Sequence, residues 1–189
     1  MTIEEIFNQL SNHMVQGIMF HAQMSDYYNF LGLKGFSKCH EYHFVAENYN
    51  FRKLSKYYLD HYDKIIADLP TSNPKAIPTA WLKYKKQDVD AATRKSAIQS
   101  GIESWVRWEQ NTKTFYEKIY TELISLNEIA TAMEIKSYIL DVDEELTIAK
   151  QKHIEEKSID FDITILMEKQ DAEYEKYEKE IRKIFSEPY

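Results

Sequence analysis

Gly32-Leu33-Lys34-Gly35 separates two long runs of helical periodicity, and the reading of this stretch decides the fold. Two glycines so close together lower helix propensity and permit a left-handed turn. Upstream, Ile3, Ile6, Phe7, Leu10, Met14, Gly17, Ile18, His21, Met24, Tyr28 and Leu31 recur three or four residues apart, one stripe that predicts a first helix. Downstream, a second helix is expected from near Phe36 to about Asp68, with Phe44, Glu47, Phe51, Leu54, Tyr58 and Ile65 on one face. Helices joined by so short a turn run antiparallel.

Farther out, residues 69–90 hold Pro70, Pro74 and Pro78 together with Thr71-Ser72-Asn73, which no continuous helix accommodates. A connection of that length can travel along a bundle and start the next helix parallel to the second. The third helix is expected from about Asp90 to Leu126, through Ile98, Ile102, Trp105, Trp108, Thr112, Phe115, Ile119 and Leu123. The fourth is expected from about Glu128 to Lys157, through Ile135, Tyr138, Ile139, Val142, Leu146 and Ala149. A fifth, amphipathic helix over about 159–185 carries Ile163, Leu166, Met167, Tyr174, Tyr177, Ile181 and Ile184. Strand-like alternation is not sustained anywhere, so the chain reads as all-α.

With 189 residues, four Pro, four Gly and 43% hydrophobic residues, one domain over 1–189 is expected, its core bundle at about 3–157. The start Met1-Thr2-Ile3-Glu4-Glu5 is unlike a secretory leader, and no apolar run reaches the roughly 18 residues of a membrane span. A single cysteine, Cys39, fits a reducing compartment, so the expected location is the cytoplasm. The net charge of −7 and scattered basic residues, densest at Lys83-Tyr84-Lys85-Lys86, argue against a nucleic-acid partner.

Phosphate loops, Cys-x-x-Cys pairs, His-Glu-x-x-His helices and nucleophile elbows are absent from the sequence. The remaining polar candidates lie on inward faces. On the second helix His40, His43, Glu47, Asn50, Leu54, Tyr57 and His61 follow at steps of three and four, one stripe able to line a site. His21 sits in the first helix's stripe, Glu109 between Trp105 and Thr112, and Glu145 between Val142 and Ala149. If His21, Glu47, Glu109 and Glu145 converge, their carboxylates and imidazole suit a hard or borderline divalent metal, since buried carboxylates need a partner, a proton or a cation. The alternative places them at the bundle edge, with Glu109 and Glu145 paired to Lys or Arg and His21 bonded to a Tyr. The tyrosines crowding the first two helices, like Trp81, Trp105 and Trp108, could be electron donors beside a metal, but such residues read first as packing at a core rim or subunit interface.

Gly32-Leu33-Lys34-Gly35-Phe36-Ser37-Lys38 closely resembles the turn between the first two helices of ferritins, where Gly-Leu-Lys-Gly-Phe-Ala-Lys is common. Ala46-Glu47-Asn48-Tyr49-Asn50-Phe51-Arg52-Lys53-Leu54 is similar to the ferritin second-helix motif Ala-Glu-x-x-His-Ala-x-Lys-Leu. Weaker likeness at Trp108-Glu109 and Val142-Asp143-Glu144-Glu145 extends the resemblance over most of residues 5–155. It implies a ferritin-like four-helix bundle with a long crossover between its second and third helices, an additional C-terminal helix, a homo-oligomer and a dinuclear iron site. Glu47 and Glu109 match that site, and Glu144 or Glu145 matches loosely. Where the family has a first-helix Glu this chain has Met14, the following Tyr is His21, and the second-helix His is Asn50. Phe36-Ser37-Lys38-Cys39-His40-Glu41 is also similar to the start of the second helix in mini-ferritins, which protect DNA in starvation, with His40 as their histidine and Tyr28 and Phe44 at the other ligand positions.

The resemblance therefore implies iron or another divalent metal at a rebuilt site of His21, Glu47, Asn50, Glu109 and Glu145, with Glu144, His40 and His43 as further candidate ligands. An active site would make the chain a ferroxidase-type oxidoreductase acting on ferrous ion. The alternative function is a non-catalytic ferritin-like scaffold or interaction module without bound metal.

Overall fold

The computed structural model of the protein describes residues 1–66 and 89–186. Five helices run through them, α1 (Ile3–Leu31), α2 (Lys34–Tyr62), α3 (Ala91–Ser125), α4 (Ile129–Ser158) and α5 (Ile163–Ser186), and no strand occurs among the described residues. Apart from Val89 and Asp90, the crossover expected at 69–90 lies outside them, as do Trp81 and the Lys83–Lys86 basic group. The helices fall into two compact units: α1, α2 and α5 in one, and nearly all of α3 with α4 in the other.

In the first unit, α1 opens on a capping box. Thr2 Oγ1 accepts from the Glu5 amide at 3.2 Å and the Thr2 amide donates to Glu5 Oε2 at 2.7 Å, closing two of the first turn's open donors. Its end is set by Gly32, at φ 84°. The Gly32 and Leu33 amides donate to Asn29 and Tyr28 carbonyls at 3.0 and 2.9 Å, and fully buried Leu33 and Tyr28 complete a Schellman motif. The chain then reverses. Ser25 bonds to Ser37, His21 to His40, and Phe7 stacks on Tyr58 at 4.2 Å, so one residue number rises as the other falls, the signature of antiparallel neighbours. The apolar stripe read on α1 is the buried one, from Ile6 to Leu31.

The spacing of the two glycines places both in the turn, yet of the two only Gly32 is left-handed; Gly35 lies inside α2, which starts at Lys34 and not at Phe36. Its missing side chain admits α5: a Cβ there would lie 2.7 Å from the Gln170 carbonyl oxygen and 2.8 Å from Glu173 Cβ. At the same place Leu33 offers α2 no side-chain cap, and Gln170 Oε1 accepts from the Gly35 and Phe36 amides at 2.8 and 3.2 Å. The last helix thus satisfies the open donors of the second. Around this cap Lys34 pairs with Asp171, while Lys38 pairs with Glu41 and Glu178 and lies over the Tyr174 ring.

The second helix stops at Tyr62, not near Asp68: Asp63 takes a left-handed conformation, and Ile65, expected on the buried face, is 76% exposed beyond the helix end. On α5, Leu166, Tyr177 and Ile181 are buried as expected, but Met167 and Tyr174 are exposed and the stripe runs instead through buried Gln170. The helix starts at Ile163 because Asp160 and Phe161, both with positive φ, turn the chain after α4.

In the second unit, Ile98, Ile102, Trp105, Thr112, Ile119 and Leu123 of α3 and Ile135, Tyr138, Val142, Leu146 and Ala149 of α4 are buried, as their spacing predicts. Phe115 is half-buried, and its neighbour Tyr116 is buried in its place, 6.0 Å from the Tyr138 ring. Trp108 and Ile139 are also half-buried. The turn between the two helices is made by Asn127 at φ 61°, with the Glu128 amide donating to the Leu123 carbonyl.

Candidate functional site

On α1 and α2, the antiparallel register brings His21, His40 and His43 together, fully or almost fully buried. His21 Nδ1 and His40 Nδ1 are 3.0 Å apart, so one ring donates and the other accepts and the two imidazoles hold complementary tautomers. The His21 ring stacks on His40 at 5.3 Å and on His43 at 5.0 Å, and Tyr28 stacks on the other partner, His40, at 5.3 Å and 10°. Burial, then the neighbouring His43 and His40, hold the His21 pKa well below the usual imidazole value; burial and His43 do the same to His40. Both rings are neutral at physiological pH. His13, earlier on α1, is lowered by burial to about 4.

The other candidate ligands divide between the units. On α2, Glu47 is buried one turn beyond His43, and Asn50 is half-buried one turn farther on. Met14, at the position where the resemblance calls for a first-helix carboxylate, is fully buried on α1. On α3, Glu109 is 1% exposed and accepts a 2.9 Å hydrogen bond from Trp105 Nε1 one turn earlier. On α4, Glu145 is half-buried and Glu144 exposed. Among the described residues, no group of three or more His, Cys, Asp or Glu side chains is arranged to hold a metal ion.

The donor chemistry does not fit the dinuclear iron centre that the resemblance implies. A thioether at Met14 cannot bridge two hard cations, the amide of Asn50 is a weaker ligand than an imidazole, and His21 and His40 direct ring nitrogens at each other. The Trp105–Glu109 bond and the Tyr28–His40 stack are not among the contacts expected from sequence. The i, i+4 spacing of Trp105 and Glu109 is a legible signal for the first. The Tyr28–His40 stack needs the relative rotation of two helices and has no local signal.

No known sequence family and no curated protein matches the chain. Solved structures do. An open-pore ferritin from the hyperthermophilic archaeon Archaeoglobus fulgidus aligns with TM-score 0.69 and 16% identity, over 90% of this chain and 93% of that one. A closed form of that organism's ferritin, engineered by site-directed mutagenesis, gives 0.69 and 15% over the same shares. A humanized archaeal ferritin gives 0.71 and 16%, over 90% and 94%. At such identities the likeness shows the fold. It is all-α and ferritin-like, a four-helix bundle with an additional C-terminal helix. No described helix is long and apolar enough to cross a membrane.

Proposed function

We propose that this chain is a non-catalytic ferritin-like scaffold that assembles with copies of itself in the cytoplasm, with packing at the positions where the resemblance calls for ligands. One observation carries the reading: the His21–His40 bond turns two imidazoles into a buried structural pair beside fully buried Met14. Purified protein from iron-rich culture is expected to hold no stoichiometric transition metal, to oxidise ferrous ion no faster than buffer, and to sediment as an oligomer. Stoichiometric metal or catalysed ferrous oxidation overturns it.

A specific observation favours a second reading, iron or another divalent metal at a site rebuilt from His21, Glu47, Asn50, Glu109 and Glu145. Glu47 and Glu109 stand at the positions that match the resemblance and are both buried, and carboxylates with an imidazole are the donor types that suit a hard or borderline divalent metal. Under this reading, bound metal is retained by wild type and lost on Glu47→Ala.

A further inference from the structure

A face of α2 beside its histidine stripe meets the end of α5 in a groove of about 460 Å³. Phe44, Val45 and Tyr49 form one wall and Ile184 and Phe185 the other. The volume lies in the range of small-molecule sites, about 300–1,000 Å³. Phe185 leaves 71% of its surface exposed at the rim, where α5 ends.

Arg52 lines the same groove. Arg94, Arg107 and Arg182 spend their guanidinium groups on the Leu31 carbonyl, the Ser104 hydroxyl and the Glu178 carboxylate; Arg52 makes no hydrogen bond or ion pair among the described residues. A second cation stands one residue on, where Lys53 Nζ lies 5.9 Å from the Tyr49 ring centre. Asn48 adds a fixed amide, its Nδ2 donating to the Phe44 carbonyl at 2.7 Å. In a chain of net charge −7, an exposed arginine without an acidic partner beside three aromatic rings is a local charge without a structural use.

We infer that this groove binds a small molecule with a flat apolar body and one anionic head group, an aromatic carboxylate or sulfonate, with Arg52 taking the head and Phe44, Tyr49 and Phe185 the rings. Guanidinium pairs planar anions through parallel donors, and aromatic walls favour flat bodies over branched ones. Arg52, Asn48 and the apolar wall at Phe44, Val45 and Tyr49 share one α2 face, so the wall and the charge are held on a single rigid element.

Fluorescence titration of the full chain with anilinonaphthalene sulfonate, beside uncharged N-phenylnaphthylamine of the same ring system, tests this. The sulfonate is expected to saturate one site per chain. Arg52→Gln, at an exposed position that leaves the fold intact, is expected to weaken it about fivefold, as loss of an exposed charge pair does. The uncharged dye is expected to bind equally well to wild type and Arg52→Gln. Val45→Trp, which fills the groove, is expected to abolish both while the far-ultraviolet circular dichroism stays helical. No saturable binding, or unchanged sulfonate affinity in Arg52→Gln, overturns the proposal. So does affinity that falls as protein concentration rises, which would assign the groove to a second copy.

Discussion

At Gly35 one hydrogen atom separates α2 from the α5 backbone. Alanine there gains helix propensity, about 1 kcal/mol, but its methyl would lie 2.7 Å from a main-chain oxygen that cannot swing aside. The overpacking cost of about 1–3 kcal/mol wins, and Gly35→Ala is expected to lower the urea midpoint without changing the slope. At Gly32→Ala the new methyl would make only an ordinary van der Waals contact, Arg94 being 3.8 Å away, and the penalty comes from φ 84° instead, roughly 1–2 kcal/mol. Trp105→Phe keeps the ring packing but removes a donor from Glu109 in its buried surroundings. Its expected cost is about 1–3 kcal/mol by denaturant titration.

Among the elements, α5 is the helix whose role was least legible. The stripe on α1, the break at Gly32 and the cores of α3 and α4 could be read because each depends on spacing within one segment or on one residue's backbone freedom. Gln170 could not: a glutamine between Leu166 and Tyr177 looks like a polar interruption until the open amides of another helix are placed beside it. The histidine stripe of α2 was legible for the same local reason, but its pairing with His21 follows from helix rotation, which spacing leaves open. Replacing Gln170 by the similarly shaped Met leaves the Gly35 and Phe36 amides without that acceptor. Hydrogen exchange at those two amides is expected to accelerate, with a stability loss of about 1–3 kcal/mol.

For the molecule as a whole, the buried imidazoles set the response to acid. His13, His21 and His40 bind protons less readily folded than unfolded, so below the unfolded value of 6.5 the unfolded chain takes up more protons. Stability is therefore full above about pH 6.5 and falls as pH drops, for His13 by up to about 1.4 kcal/mol per unit until pH 4. Thermal melts at pH 7 and pH 5 are expected to show a lower Tm at pH 5, and His13→Gln is expected to narrow that difference. The cap at α2 also bears on how the chain is made. Its donor amides and its Gln170 acceptor are 134 and 135 residues apart, and synthesis runs from the N-terminus. Until α5 has been made, a nascent α1–α2 hairpin has its turn but a frayed start to its second helix, so completion of that earlier segment waits for one synthesised well over a hundred residues later.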